Sequence, residues 1–107
     1  MIHRYWRGLA FPEFENTYVD YLSRHTVPHL QELPGFRGVS VLKRRSPAGI
    51  EFLVITRWDG LQSIVAFAGE DAESAVVPED VRRMMREYDS RARHYEEAQL
   101  LDPGAGE

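Results

Sequence analysis

From Ile2 to Gly8 the chain alternates between two sets, Ile2/Arg4/Trp6 and His3/Tyr5/Arg7. That period of two predicts a strand, and since each set carries an aromatic, neither face reads as fully solvated. From Pro12 the period lengthens. Phe14, Tyr18, Tyr21, Leu22 and His25 recur at helical spacing and form one stripe. Glu13 and Glu15 stand in the first turn, where acidic residues complement the helix dipole. Pro28 lacks an N–H and its ring clashes with the carbonyl four residues back, so it predicts a kink or a new turn carrying Leu30 and Leu33. Pro34-Gly35 ends the helix.

Phe36 to Arg45 predicts a second strand with Val39 and Val41 on one face, and Ser46-Pro47-Ala48-Gly49 a turn. Ile50 to Trp58 predicts a third strand. Phe52, Val54 and Thr56 share one side, Leu53 and Ile55 the other, so this strand is expected to be central and covered on both sides. Asp59 with Gln62 three residues on predicts a capped helix with Leu61, Ile64, Val65 and Ala68 buried and Gly69 at its end. Pro78 opens a further helical stretch with a stripe of Val81, Met84, Met85 and Tyr88, while Arg82, Arg83 and Arg86 face water. Ser90 to Gln99 alternates Ala92/His94/Glu96 with Arg93/Tyr95/Glu97 and predicts the last strand.

The order is β-α-β-β-α-β. This is the ferredoxin-like α+β arrangement, a four-stranded antiparallel sheet in the order 4-1-3-2 with helices on one face. The helix-free face carries apolar and aromatic residues, which signals association. A two-fold homodimer through that face is therefore expected. Residues 1–101 form the single domain, and the Gly- and Pro-rich residues 102–107 are expected to be a flexible tail.

Composition narrows the function. The 107 residues suffice for one domain. The absence of cysteine excludes disulfides, thiolate zinc sites and a cysteine nucleophile. A formal net charge of −4 argues against a nucleic-acid partner, and Lys43-Arg44-Arg45 is expected to be a solvated hairpin tip. No apolar run is long enough for a membrane span, and MIHRYWRG is not followed by the apolar stretch of a signal peptide. A cytoplasmic protein without a membrane partner is expected.

The WRG ending of strand one, the PGFRGV entry to strand two, the segment FLVITRWDGLQSIVAFAG and the closing RHYE resemble the antibiotic biosynthesis monooxygenase domain. The resemblance spans residues 1 to 99. It implies a dimeric α+β barrel and, for the oxygenases of the family, oxidation of a phenol or quinol without metal or flavin. No cofactor is expected on that basis. The superfamily also holds heme-degrading enzymes. That branch shares a tryptophan at the Trp58 position, but this chain has Phe67 where a second tryptophan lies over the heme and Val77 where the iron-ligating histidine stands. The strand-one asparagine of that branch falls on Trp6. Heme degradation is disfavoured.

Two histidines are candidate catalytic residues. His25 lies on the helical stripe, where it is either a base at the mouth of a helix–sheet cleft or a packed histidine beside the Pro28 kink. His94 either points into the same cleft or pairs with a neighbouring polar group. His25 and His29 are four apart, but Pro28 between them spoils a shared metal geometry and no third ligand is evident, so no metal is expected. Arg4, Trp6, Tyr21 and Trp58 are the candidate ligand-binding residues. Trp6 and Trp58 are candidate walls, although Trp58, ending a central strand, also suits the core. Arg4 shares the Trp6 face and meets either an anionic oxygen or a glutamate such as Glu96. Tyr18 and Tyr21 are candidate hydrogen-bond donors. Met84 and Met85 suit either the core or an adaptable lining. These residues leave two functions open: a cofactor-independent monooxygenase of an aromatic or quinol-like small molecule, and a non-catalytic dimeric ligand-binding or accessory protein of the same fold.

Overall fold

The computed structural model describes residues 1–101; the expected tail at 102–107 lies outside the described residues. β1 (Ile2–Ala10) and β3 (Gly49–Trp58) pair antiparallel over their whole length, and β2 (Phe36–Ser46) pairs with β3 on its far side. β4 (Met85–Tyr88) and β5 (Arg93–Glu96) both pair with β1 on its other edge. The sheet order β2-β3-β1-β4 is the expected one, with the last strand divided in two.

The division corrects two boundaries. The stretch from Pro78 was expected to remain helical to Tyr88, but α4 (Glu79–Met84) stops at Met84 and Met85–Tyr88 is strand. Its apolar side chains suit either state. The unpaired end of β1 decides, because β1 runs on to Ala10 and offers Gly8, Leu9 and Ala10 as partners to β4. The predicted last strand then begins late. Residues 90–92 pair instead with 73–75, through Ala75 N–H to Ser90 O at 3.0 Å and Ala92 N–H to Glu73 O at 2.7 Å. That excursion lays the chain around Ala72 to Ala75 over the start of β1.

Between β1 and β2 the helical segment runs through a turn at Pro12–Phe14, α1 (Glu15–Tyr21), a π-helical turn Leu22–Thr26 and α2 (Val27–Gln31). Pro28 explains the π turn. A regular helix would drive its ring against the Arg24 carbonyl. The wider turn, in which Val27 N–H donates to Leu22 O five residues back, accommodates it. Gly35, at φ 84°, then turns the chain into β2 in the left-handed region that favours glycine. The predicted cap of α3 (Leu61–Ala68) does not form: Gly60 is the N-cap, and the Asp59 carboxylate accepts from Arg37 Nε and Nη2 at 2.5 and 2.8 Å. Gly69 ends α3 as expected, at φ 92°.

Even-numbered residues of β1 and β3 face the helices, with Arg4 opposite Thr56, Trp6 opposite Val54 and Gly8 opposite Phe52. The buried core there falls into two clusters. Ala10, Tyr18, Leu22, Ile50, Phe52, Val77, Val81, Met84 and Met85 form one, and Leu30, Trp58 and Ile64 the other. The opposite face has no helix and carries Tyr5, Leu53, Ile55, Leu42 and Tyr95, the last two about half exposed. The hairpin-tip cations are exposed yet paired: Lys43 and Arg45 reach Glu15, and Arg44 reaches Glu51 on the other face.

Gly8 lets the Trp6 ring lie flat along β1. A Cβ built there would sit 2.6 Å from Trp6 Cη2 and 2.9 Å from Met85 Sδ. Gly8→Val is expected to destabilise the fold by about 1–3 kcal/mol, as overpacking does. In a Trp6→Ala background the added cost shrinks, because one of the two clashes is gone. Urea unfolding of the four members of this cycle checks both statements.

Candidate functional site

The gap between the two core clusters is a cleft. It is lined mainly by Trp6, Tyr18, Leu22, Leu30, Val54 and Phe67, with Val76 and Pro78 at one rim and Arg4 and Thr56 on the sheet beneath. Its cavity volume is about 80 Å³, and it opens to solvent on one side. A dry cavity of about 150 Å³ takes up benzene. A cleft of this volume accepts one edge of a ring system, and the rest must extend through its open side.

Arg4 is 4% exposed. Its Nη1 donates to the Ala72 carbonyl and, at 2.7 Å, to His94 Nε2; its Nη2 donates to Ser74 O at 2.7 Å. The guanidinium also lies 5.7 Å from the centre of the Phe67 ring. Burial lowers its pKa to about 10, against a weaker opposing pull from Glu73, so it remains a cation at neutral pH. His94 is placed opposite Arg4 by strand register. Its pKa is depressed by burial first and by the Arg4 charge second, with Glu73 opposing. A neutral imidazole accepting at Nε2 satisfies both residues.

The remaining polar groups are hydroxyls. Trp58 Nε1 donates to Thr56 Oγ1 at 2.8 Å, which leaves the Thr56 proton free to donate towards the cleft. Tyr18 is 2% exposed, and burial raises its pKa well above the ordinary tyrosine value, so it is a neutral phenol. Among the described residues no partner is found for its hydroxyl, and no fully buried side-chain oxygen is left unsatisfied, so that oxygen touches open space. Trp6 is fixed by Nε1 donating to Asp89 O at 2.8 Å and packs at a tilt on Tyr18 and Tyr88.

The structure brings Arg4, Trp6 and His94 together and separates the other candidates. His25 was expected on the buried stripe; it is exposed, outside the cleft, and stacks on Tyr21 at 4.9 Å. The π turn is the reason. One extra residue moves the inward positions from 25 and 29 to 26 and 30, so Thr26 and Leu30 line the cleft, while His25 and His29 turn outward. Tyr21 is half-buried against the core without lining the cleft. Trp58 is fully buried between Phe36 and Phe67 and acts behind the wall, holding Thr56 and stacking on Phe67. Met84 and Met85 are core. Thr56, Phe67, Val76 and Pro78 carried no sequence signal as lining residues; Thr56 was read only as sharing the strand face of Phe52 and Val54. No cluster of three potential metal ligands occurs among the described residues.

No family model matches the chain, and neither does any curated protein. Solved structures do. A Bacillus cereus protein proposed to be an antibiotic biosynthesis monooxygenase matches with TM-score 0.67 at 14% identity, over 94% of either chain. A monooxygenase from the ActVA-Orf6 gene of Streptomyces coelicolor, solved with nanaomycin D, matches with TM-score 0.67 at 18% identity, over 95% of this chain and 91% of that one. This chain shares the antibiotic biosynthesis monooxygenase fold. The heme-degrader MhuD of Mycobacterium tuberculosis, solved with two hemes, has it too, with TM-score 0.60 at 14% identity over 95% of this chain and all of that one. The residues present here do not fit heme. Val77 is buried core, no histidine, cysteine or methionine lines the cleft, and Tyr18 is held as a neutral phenol rather than a phenolate ligand.

The His94 environment sets a pH dependence. Its folded pKa lies below the unfolded value of about 6.5, so the unfolded chain binds the proton more readily. Stability contributed this way is complete above about 6.5 and declines as pH falls through that value. His94→Gln keeps an acceptor for Arg4 but does not titrate. Unfolding free energies of the two proteins are expected to run parallel above pH 7 and to diverge below about 6.5, the native protein losing more.

Proposed function

We propose that the chain is a cofactor-independent monooxygenase acting on an aromatic or quinol-like small molecule bound in the cleft between helices and sheet. The observation that carries this reading is the cleft itself, which combines aromatic and aliphatic walls with a buried cation that has no ion-pair partner among the described residues and with two hydroxyls. The fold similarity to a monooxygenase solved with nanaomycin D supports it.

The chemistry asks little of a protein. An ionised phenol passes an electron to dioxygen far more readily than its neutral form does. The resulting radical and superoxide combine at carbon. Loss of water then leaves a quinone, so one oxygen atom enters the ring as a carbonyl and the other departs as water. The substrate supplies all the electrons. Arg4 favours the anion, Tyr18 and Thr56 donate to its oxygens, and the apolar walls exclude water. His94 is the positioning residue that holds Arg4, whereas His25 is too far outside the cleft to take part. A second reading is a non-catalytic ligand-binding or accessory protein. The small cavity volume and the engagement of His94 Nε2 by Arg4 favour it.

A dioxygen electrode separates the two. Uptake without added metal or flavin is expected with at least one member of a screen of polyphenols and quinols, with Tyr18→Phe lowering kcat about 10²-fold. Binding of the same compounds without uptake would leave the accessory reading.

The reading includes a cytoplasmic homodimer through the helix-free face. No helix among the described residues is long and apolar enough to cross a membrane. Half-exposed Leu42 and Tyr95, with the Tyr5–Tyr95 edge-to-face pair at 5.2 Å, make that face an apolar patch of the kind that signals association. Ile55→Glu, at the centre of the patch, is expected to turn the dimer into monomer in light scattering and to lower the unfolding midpoint at the same time.

A further inference from the structure

Arg4 has more donors than partners. A guanidinium carries five N–H groups. Nη1 donates both of its protons, to Ala72 O and His94 Nε2, and Nη2 donates one to Ser74 O. Nε–H and one Nη2–H remain. No ion pair joins Arg4 to a carboxylate among the described residues, and Glu73 acts on it only at longer range. Among those residues no buried side-chain nitrogen lacks a partner, so the unpartnered Nε must touch open space. The cleft is the space that Arg4 borders, since the residue is otherwise buried. Nε–H and the Nη2–H beside it lie along one edge of a guanidinium, and such an edge takes two coplanar oxygens side by side.

Among the described residues the cleft also lacks a base. Its lining there includes no carboxylate and no histidine. His94 Nε2 is already an acceptor for Arg4, His25 and His29 are exposed outside, and Tyr18 is a neutral phenol. A ligand that had to lose its proton after entry would find nothing there to take it.

We propose that the cleft selects ligands that are already anions at neutral pH and that present two adjacent coplanar oxygens, at least one of them charged, to the two donors that remain on Arg4. An aromatic carboxylate and an ionised hydroxyquinone share this chemistry. The inference rests on the reading of the cleft as a ligand site but not on catalysis. It restricts the substrates of the proposed oxidation to acidic ones and excludes simple phenols, which are neutral at pH 7.

Two matched pairs test it on the native protein by calorimetry at pH 7: 2-naphthoate against 2-naphthamide, and 2-hydroxy-1,4-naphthoquinone against its 2-methoxy ether. The ionised member of at least one pair is expected to bind about 10- to 100-fold more tightly, the range for hydrogen bonds to a charged group. The carboxylate arm and the hydroxyquinone arm tell the two sources apart. Arg4→Met is expected to abolish the preference, and Arg4→Lys to retain only part of it, because a point charge lacks the fork. Equal affinities within both pairs, or failure of both anions to bind, overturn the proposal whether or not the variants fold. Tight anion binding without dioxygen uptake leaves it standing and removes the oxygenase reading. Dioxygen uptake with neutral phenols and no preference for anions does the reverse.

Discussion

A single cation organises this molecule. Arg4 leaves the central strand on the helix side, where most neighbours are apolar, and among the described residues it meets no carboxylate there. Removing an ion from water costs several kcal/mol. Hydrogen bonds to a charged group return about 1.5–3 kcal/mol each. Three such bonds, to two carbonyls and an imidazole, roughly offset the burial. They also determine where the chain goes, because Ala72 and Ser74 belong to an irregular segment that has few partners of its own. The guanidinium supplies those partners and thereby fixes the segment over the start of β1.

The divided last strand follows from the same requirement. An unbroken strand from Ser90 onward would leave residues 73–75 without backbone partners. By pairing 90–92 with 73–75, the chain satisfies both segments and brings the Ala72 and Ser74 carbonyls to Arg4. Trp6 fastens the break from the other side through Asp89 O. Two residues of one strand, both on its helix-facing side, thus hold the roof over the cleft. The floor is set by the π turn, which carries the helical segment past Pro28 and directs Thr26 and Leu30 inward.

The fold was legible because its signals are periodic. Alternation in β1 and β3 and the two-sided apolar character of Ile50 to Trp58 gave the strand order directly. The errors lie where periodicity is ambiguous or tertiary pairing overrides it. Val81, Met84 and Met85 are buried in a helix followed by a strand just as they would be in one long helix, and only the unpaired end of β1 distinguishes the two. The Asp59–Gln62 spacing suited a cap, but Arg37 offered the carboxylate a charged partner. At the site, Arg4 and Trp6 were legible from a shared strand face. His25 was misplaced because the stripe was counted at 3.6 residues per turn, and a single inserted residue rotates everything after it by about 100°. Pro28 announced a disturbance there without specifying its kind.

A cation beneath an aromatic cleft has opposed effects on the proposed oxidation. It stabilises the bound anion, and by doing so it makes that anion harder to oxidise. Binding alone therefore brings no acceleration; only an interaction stronger in the transition state does. The charge, however, does not leave the cleft when the electron moves. It passes from the ligand to dioxygen, and the cation still acts on it, with a strength that falls with distance. A dioxygen seated beside the fork keeps nearly all of that stabilisation, while one at the open mouth loses much of it to distance and water. On this argument the narrow cleft, whose volume of about 80 Å³ is too small for a whole ring system, is better suited to the oxidant and the reacting edge of the ligand. The walls that restrict its volume then serve the chemistry by keeping electron donor, acceptor and cation within one dry space.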